Sequence, residues 1–501
     1  MTNQHPLQAF QNLGQHLLDL EILRDDSKPL SPFCAIFHQV LTNAVMQDLP
    51  VLSSMLSRLF ESSNLLDDDS LQHLIQALGR LSSEAMDVAY SNREPSLFPL
   101  AKILETGLVN LNRLRVFYKP VTDHLLDVSR HPQTKIREWG AEALTTLIRS
   151  ALTHEHLPTP LSDNPELRAL ILKPLEDMSL VNYFDSRQKQ LDCVLQILHS
   201  KGDSLGDGWP LVLGVLGAAT QFPSAESSAA TPTDSASTAA SSPSSPSTSA
   251  QTTASFENLI RSGFQGLQLV VTDFLPTMPK RCLRISVIVT AKYGLQTQDV
   301  NISLTSIGLM WNISDFISQH QDFIRKQLET EEEEEAAKSS ALNRADKETG
   351  ENTEAATSSP LSPLDELWLV IYEKLGELCT DERPAVRKSA GQTLFSTIST
   401  HGDLLHSQSW RRVLWDVLFP MLSRVRKLSM TASTEKAEVG NILIHHSRDT
   451  AKKQWSETQT LTLTGVARVF STKRNTLEES LTKKKDAVAG HLSSKDFLDA
   501  W

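Results

Sequence analysis

Long apolar runs, paired cysteines, aromatics and positive charge are all scarce in this chain, and each scarcity closes off a class of protein. The longest apolar stretch, Trp209 to Ala219, is too short for a bilayer and is broken by Pro210, Gly214 and Gly217. The opening MTNQHPLQAF has neither a basic region nor an apolar core, so no secretory signal is expected. The chain therefore reads as soluble, with any membrane contact peripheral. Its four cysteines, Cys34, Cys193, Cys282 and Cys379, are scattered with no CxxC and no nearby set of His ligands, which suits reduced, mostly buried thiols in the cytosol. With aromatics at 6 %, 23 prolines and 20 glycines, a disulfide scaffold or a collagen-like chain is excluded. The net charge of −12, from 48 basic and 60 acidic residues, argues against a general nucleic-acid binder. Phosphate-cradling, zinc-protease and nucleophile-elbow motifs are missing too, so no catalytic, cofactor-binding or metal residue is assigned.

What is present is a repeated helix. Residues 132–148 read PQTKIREWGAEALTTLI and residues 384–398 read PAVRKSAGQTLFSTI. Aligning Arg137 with Arg387 pairs Ile136 with Val386, Gly140 with Ala390, Leu144 with Leu394 and Ile148 with Ile398. A third copy, SRQKQLDCVLQIL, puts Arg187, Val194 and Leu198 at matching places. A proline entry, an aliphatic–Arg pair, a small residue and apolar residues one turn apart form the second-helix pattern of a HEAT-type repeat. A two-helix unit cannot bury its apolar face alone, so copies stack. The expected fold is all-α, a HEAT/armadillo-like α-solenoid with two disordered linkers.

The pattern divides the chain. After a poorly ordered segment, 1–30, a first helical block is expected over 31–222, with helix pairs at 110–130/134–150 and 165–180/186–200. Asn164 followed by Pro165 is good N-cap and first-turn chemistry. Residues 223–255 form a linker, 30 of its 33 residues being Ser, Ala, Thr or Pro, a composition with nothing to bury. A second block spans 256–327, including one helix over 299–327. An acidic linker, 328–362, carries the run Glu331–Glu335, which can extend the preceding helix. A third block spans 363–471, its last helix running through Trp455, Leu463, Val466 and Phe470, and a polar segment, 472–501, follows.

Several stretches are more specific than a generic repeat. LNRLRVFYKPVTDHLLDV (111–128), LPVLSSMLSRLFESS (49–63), SNREPSLFP (91–99), IREWGAEAL (136–144) and RQKQLDCVLQILH (187–199) come first. LQLVVTDFLPTMP (267–279), NISLTSIGLMWNISD (301–315), KLGELCTDERPAVRKSAGQTLFSTI (374–398) and GNILIHHSRDTAKKQW (440–455) follow in order. Together they resemble the Mon-two (monensin-sensitivity) family of Golgi and endosome trafficking scaffolds. These are relatives of the large Arf-GTPase exchange factors that lack the catalytic domain. The chain resembles an internal piece of such a protein, and the Ser/Ala/Thr/Pro insert and the lysines after Val469 depart from the family pattern.

The resemblance implies no enzyme activity and a peripheral cytoplasmic location on the trans-Golgi network and early endosomes. It also implies protein partners: Dopey-family proteins, a lipid flippase and Arf-like GTPases. Alternatives are the regulatory downstream region of a true Arf exchange factor, or an unrelated HEAT-repeat adaptor. Arg137, Arg187 and Arg387 are expected to be structural, reaching a carboxylate such as Asp127 or Asp381 in the turn between helices and tying neighbouring repeats. Trp139, Trp311, Trp368, Trp415 and Trp455 are expected in the core. Adjacent His445 and His446 diverge on a helix and lack further ligands, so a metal is not expected. Their loop keeps the family's form, which makes Ile444, His445, His446 and Arg448 the candidate partner contact.

Overall fold

The computed structural model of the chain describes residues 54–55, 57–90, 95–154, 164–221, 246–345, 361–434 and 450–473. The chain divides into two compact units, Met1–Ser242 and Pro243–Trp501. Among the described residues both are built of helices, with no β-strand.

The first unit contains α1 (Asp68–Tyr90), α2 (Phe98–Val109), α3 (Leu114–Val128), α4 (Thr134–Thr153), α5 (Pro165–Asp177), α6 (Phe184–Lys201) and α7 (Trp209–Ala218). α1, α3, α5 and α7 pack in succession as one layer, while α2, α4 and α6 form a second. This is a solenoid arrangement of stacked helix pairs. Its cause is visible in each helix. Phe117, Val121, Leu125 and Val128 recur on one side of α3 and are fully buried, as are Leu144 and Ile148 of α4. α5 begins where Asn164 Oδ1 accepts from the backbone N–H of Leu167 at 3.0 Å, directly before Pro165. The apolar stretch at Trp209 becomes α7, a buried helix.

The second unit contains α8 (Pro246–Leu269), α9 (Cys282–Leu295), α10 (Val300–Gln319), α11 (Gln321–Ala345), α12 (Pro363–Leu378), α13 (Pro384–His401), α14 (Ser407–Arg412), α15 (Phe419–Thr431) and α16 (Ala451–Thr472). α9 pairs with α10, α12 with α13 and α15 with α16. α9 stacks on α12, and α10, α13 and α16 follow one another as the second layer. Two π-helical turns, Val270–Phe274 and Val413–Leu418, each end two residues before a proline, Pro276 or Pro420. Proline has no N–H for the carbonyl four residues back, and the ladder widens just ahead of it.

Four expectations change. Helix begins at Pro246 inside the segment read as the first linker, because lengthening a formed helix needs no new nucleus. α11 continues to Ala345, well into the acidic segment, whose Glu, Ala and Lys are strong helix formers. The single helix expected over 299–327 breaks at His320, which places Phe316 and Phe323 around the Lys280 ammonium, 5.5 and 5.7 Å from their ring centres.

The inward side of α16 carries Trp455, Thr458, Thr462, Gly465, Val466 and Val469, while Leu463 is 45 % exposed. Small residues there let α13 approach closely. A Cβ at Gly465 would overlap the Phe395 ring, and one at Gly391 would overlap Leu461. The fourth change concerns the tryptophans expected in the core. Trp368 and Trp455 are core, but Trp139, Trp311 and Trp415 are only half-buried, while Trp209 and Trp410 are enclosed.

Candidate functional site

The three repeat arginines sit at the same step of their helices but meet different partners. Arg137, in the first turn of α4, pairs through Nε with Asp185 Oδ2 at 2.7 Å and stacks on the Tyr183 ring at 4.3 Å. Its partners begin α6, so the contact ties one helix pair to the next. Arg187 is fully buried, with Nε donating to Gln190 Oε1 at 2.9 Å and Nη1 to the Ser179 carbonyl at 2.6 Å. Arg387 lies 3.8 Å above the Trp455 ring of α16 and donates from Nε to Thr458 Oγ1 at 3.1 Å. Its Nη1 reaches the carbonyls of Asp381 and Glu382 at 2.9 and 2.7 Å. Burial lowers the Arg387 pKa from its ordinary value, with Asp381 opposing.

The turn carboxylates expected to receive these arginines go elsewhere. Asp127 pairs with Arg130 at 3.2 Å. Asp381 is held by the Arg383 fork at 2.9 and 2.8 Å. Arg383 also donates to the carbonyls of Gly294 and Gln296 at 2.9 and 2.6 Å, joining the α12–α13 turn to the α9–α10 turn. Arg383 was the linker that the sequence reading passed over. Asp-x-Arg-Pro at the helix entry is the available signal, since the fork closes on a residue two positions back.

Lys280 was missed as well. It is 2 % exposed, and its ammonium donates to the carbonyls of Leu275, Pro276 and Met278 at 2.9, 2.8 and 3.0 Å. It gathers the carbonyls of the turn that follows the Val270–Phe274 π-helix, and burial lowers its pKa. Ile444, His445, His446 and Arg448 lie outside the described residues.

Two cysteine thiols, Cys193 and Cys379, are buried and pushed up to about 12 by desolvation, which removes nucleophilic character near neutral pH. Among the described residues no cluster of His, Cys, Asp or Glu is placed to hold a metal, and no helix is long and apolar enough to cross a membrane.

The second-layer helix pairs of the two units close their surfaces differently. Across α4 and α6, Lys189 Nζ meets Glu142 Oε2 at 2.8 Å and Arg149 Nη1 donates to Gln196 Oε1. The Glu142 hydrogen bond raises the Lys189 pKa. Across α13 and α16 an open groove of about 640 Å³ runs instead, floored by Phe395 and Leu461.

Residues 272–487 match the family described as the C-terminal region of Mon2 protein, and residues 156–231 match the Mon2/Sec7/BIG1-like HDS family. The chain is 53 % identical over 460 residues to "Protein MON2 homolog" of Homo sapiens, covering 91 % of this chain and 24 % of that protein. Against the Drosophila melanogaster homolog it is 50 % identical over 439 residues, 87 % of this chain and 23 % of the relative. "Brefeldin A-inhibited guanine nucleotide-exchange protein 2" of Arabidopsis thaliana is 21 % identical over 416 residues, 80 % of this chain and 20 % of that protein. The chain thus spans about a quarter of the length of the Mon2 relatives. A fold of stacked helix pairs and identity above one half across nine-tenths of the chain lead to one conclusion: the chain belongs to the Mon2 family.

Proposed function

We propose that this chain is a HEAT-type, non-catalytic scaffold segment in Golgi and endosome-to-Golgi membrane trafficking. It works through protein contacts on its helix layers, at the cytoplasmic face of the trans-Golgi network and early endosomes. The observation that carries the reading is the match of residues 272–487 to the Mon2 C-terminal region, joined to 53 % identity with the human homolog. Stacked helices support it, because they present long surfaces and few enclosed pockets. Dopey-family proteins, a lipid flippase and Arf-like GTPases are the proposed partner classes. The loop carrying Ile444, His445, His446 and Arg448 is one proposed contact.

A second reading has its own support. The HDS match over residues 156–231 and the likeness to the Arabidopsis exchange protein favour a regulatory region of an Arf-type exchange factor. Proximity labelling in cells, with a long family protein carrying or lacking this segment, separates the outcomes. The scaffold reading expects loss of a defined set of protein neighbours on deletion. Unchanged neighbours would remove it, and stimulated nucleotide release from a purified Arf-type GTPase by this chain alone would overturn its non-catalytic part.

A further inference from the structure

The aligned helices α4 and α13 differ in the charges they carry outward. Glu142 and Arg149 of α4 correspond to Gln392 and Ser399 of α13, and Glu138 corresponds to Lys388. The charged side chains that bridge α4 to α6 have therefore been replaced by neutral ones, and the space between α13 and α16 stays open.

The charge of this region also runs against the chain. α13 and α16 expose or half-expose Lys388, Lys452, Lys453 and Arg468 against the single carboxylate Glu457, in a chain of net charge −12. Among the described residues no ion pair engages Lys388, Lys453 or Arg468. Lys453 and Arg468 stand at the two ends of the groove, about 22 Å apart at the helical rise, which is the length of about seven extended residues. Between them the floor is apolar at Phe395 and Leu461, and Glu457, one turn from Lys453, lines the same groove among serine, threonine and glutamine side chains, so the cation at the Arg468 end is the less opposed of the two. Ser456 and Thr460 already donate to the carbonyls of Lys452 and Ser456 at 2.8 and 3.0 Å, so charge, more than hydroxyl contacts, would select an occupant.

From this arrangement we infer that the α13–α16 groove docks an acidic, extended segment of a protein partner, with carboxylates at both ends and an apolar side chain over Phe395 and Leu461. A recessed floor with cations at its ends fits a peptide better than a flat lipid surface. The inference deepens the protein-contact reading and rests on it.

The test uses the whole chain and a labelled acidic peptide of about seven residues with a central leucine. Saturable binding is expected, at least about tenfold weaker for Lys453→Glu/Arg468→Glu and for the groove-filling Gln392→Trp. An Arg424→Glu/Arg426→Glu control on the exposed side of α15 should change affinity less than about twofold. Vesicles rich in phosphatidylserine should bind the parent and the groove variants alike. Circular dichroism on each variant confirms retained helix, and a misfolded one is replaced by Thr464→Trp.

No saturable binding by the parent overturns the proposal. So does an equal loss in the α15 control, which would mean diffuse attraction, or vesicle binding that depends on the groove when peptide binding does not. Failure here with protein neighbours still lost on deleting the segment in cells removes the groove and leaves the scaffold reading standing.

Discussion

Arg137 and Arg387 occupy one position of a repeated motif, yet they tie their helices by different physics. Arg137 is half-buried and uses an ion pair with Asp185, backed by the Tyr183 ring. Arg387 is 1 % exposed and uses a stack on Trp455, a threonine hydroxyl and two turn carbonyls. Around Arg137 the surface between helices is closed by further charged pairs. Around Arg387 closeness is achieved underneath, by Gly391 and Gly465 receiving Leu461 and Phe395, and the surface above is left open. A motif thus sets where a tie occurs; its neighbours set how strong it is and what face remains.

The largest expected effect follows from removing the buried tie. Arg387→Ala strands the Asp381 and Glu382 carbonyls and bares Trp455, and should cost about 3 kcal/mol in chemical denaturation. Gly465→Val should cost about 2 kcal/mol, since the added atoms meet the Phe395 ring, and its unfolding transition should move while first-unit hydrogen exchange stays constant. Arg137→Ala should cost only about 1 kcal/mol, because water can replace part of a half-buried pair. If Arg137→Ala proved costlier than Arg387→Ala, the contrast between the two ties would be inverted.

Acidification gives a smaller, graded effect. Burial holds His124 and His131 of the first unit and His401 of the second below the ordinary histidine value. His401 is packed between the rings of Trp311 and Trp368, at 5.6 and 5.5 Å. The unfolded chain binds these protons first. Stability is therefore fully present above an ordinary pKa of about 6.5 and declines as the pH falls through it toward the folded values. Denaturation midpoints should fall between about pH 8 and about pH 5.5, and His401→Phe should reduce the slope for the second unit. A midpoint that rose on acidification would contradict these assignments.

Much of the stack was legible in sequence. The aliphatic–Arg pair, the proline entries and the apolar spacing of α3, α12 and α13 mark helices and their inward sides without reference to distant residues. What lay hidden depends on register between helices. Which carboxylate Arg137 meets is decided by where α6 docks, and Asp185 lies 48 positions away. The inward side of α16 is hard to read in sequence because threonines and a glycine stand among its apolar residues, while Leu463 is 45 % exposed. The groove has no linear signature, since it consists of charges that α13 does not carry. Family resemblance, in contrast, lies in contiguous stretches that need no knowledge of how helices dock, and 53 % identity to the human homolog runs through them.

The most direct measurement compares the two second-layer surfaces in one host, a long Mon2-family protein carrying this segment in cells. One version reverses charge in the groove, Lys453→Glu/Arg468→Glu, and the other exchanges the bridging pair of the first unit, Glu142→Lys/Lys189→Glu. Protein neighbours are then read by proximity labelling. The account predicts that the groove reversal removes a defined set of neighbours, whereas the exchanged pair, which re-forms across α4 and α6, leaves the set unchanged. Neighbours lost equally from both versions, or from neither, would contradict it.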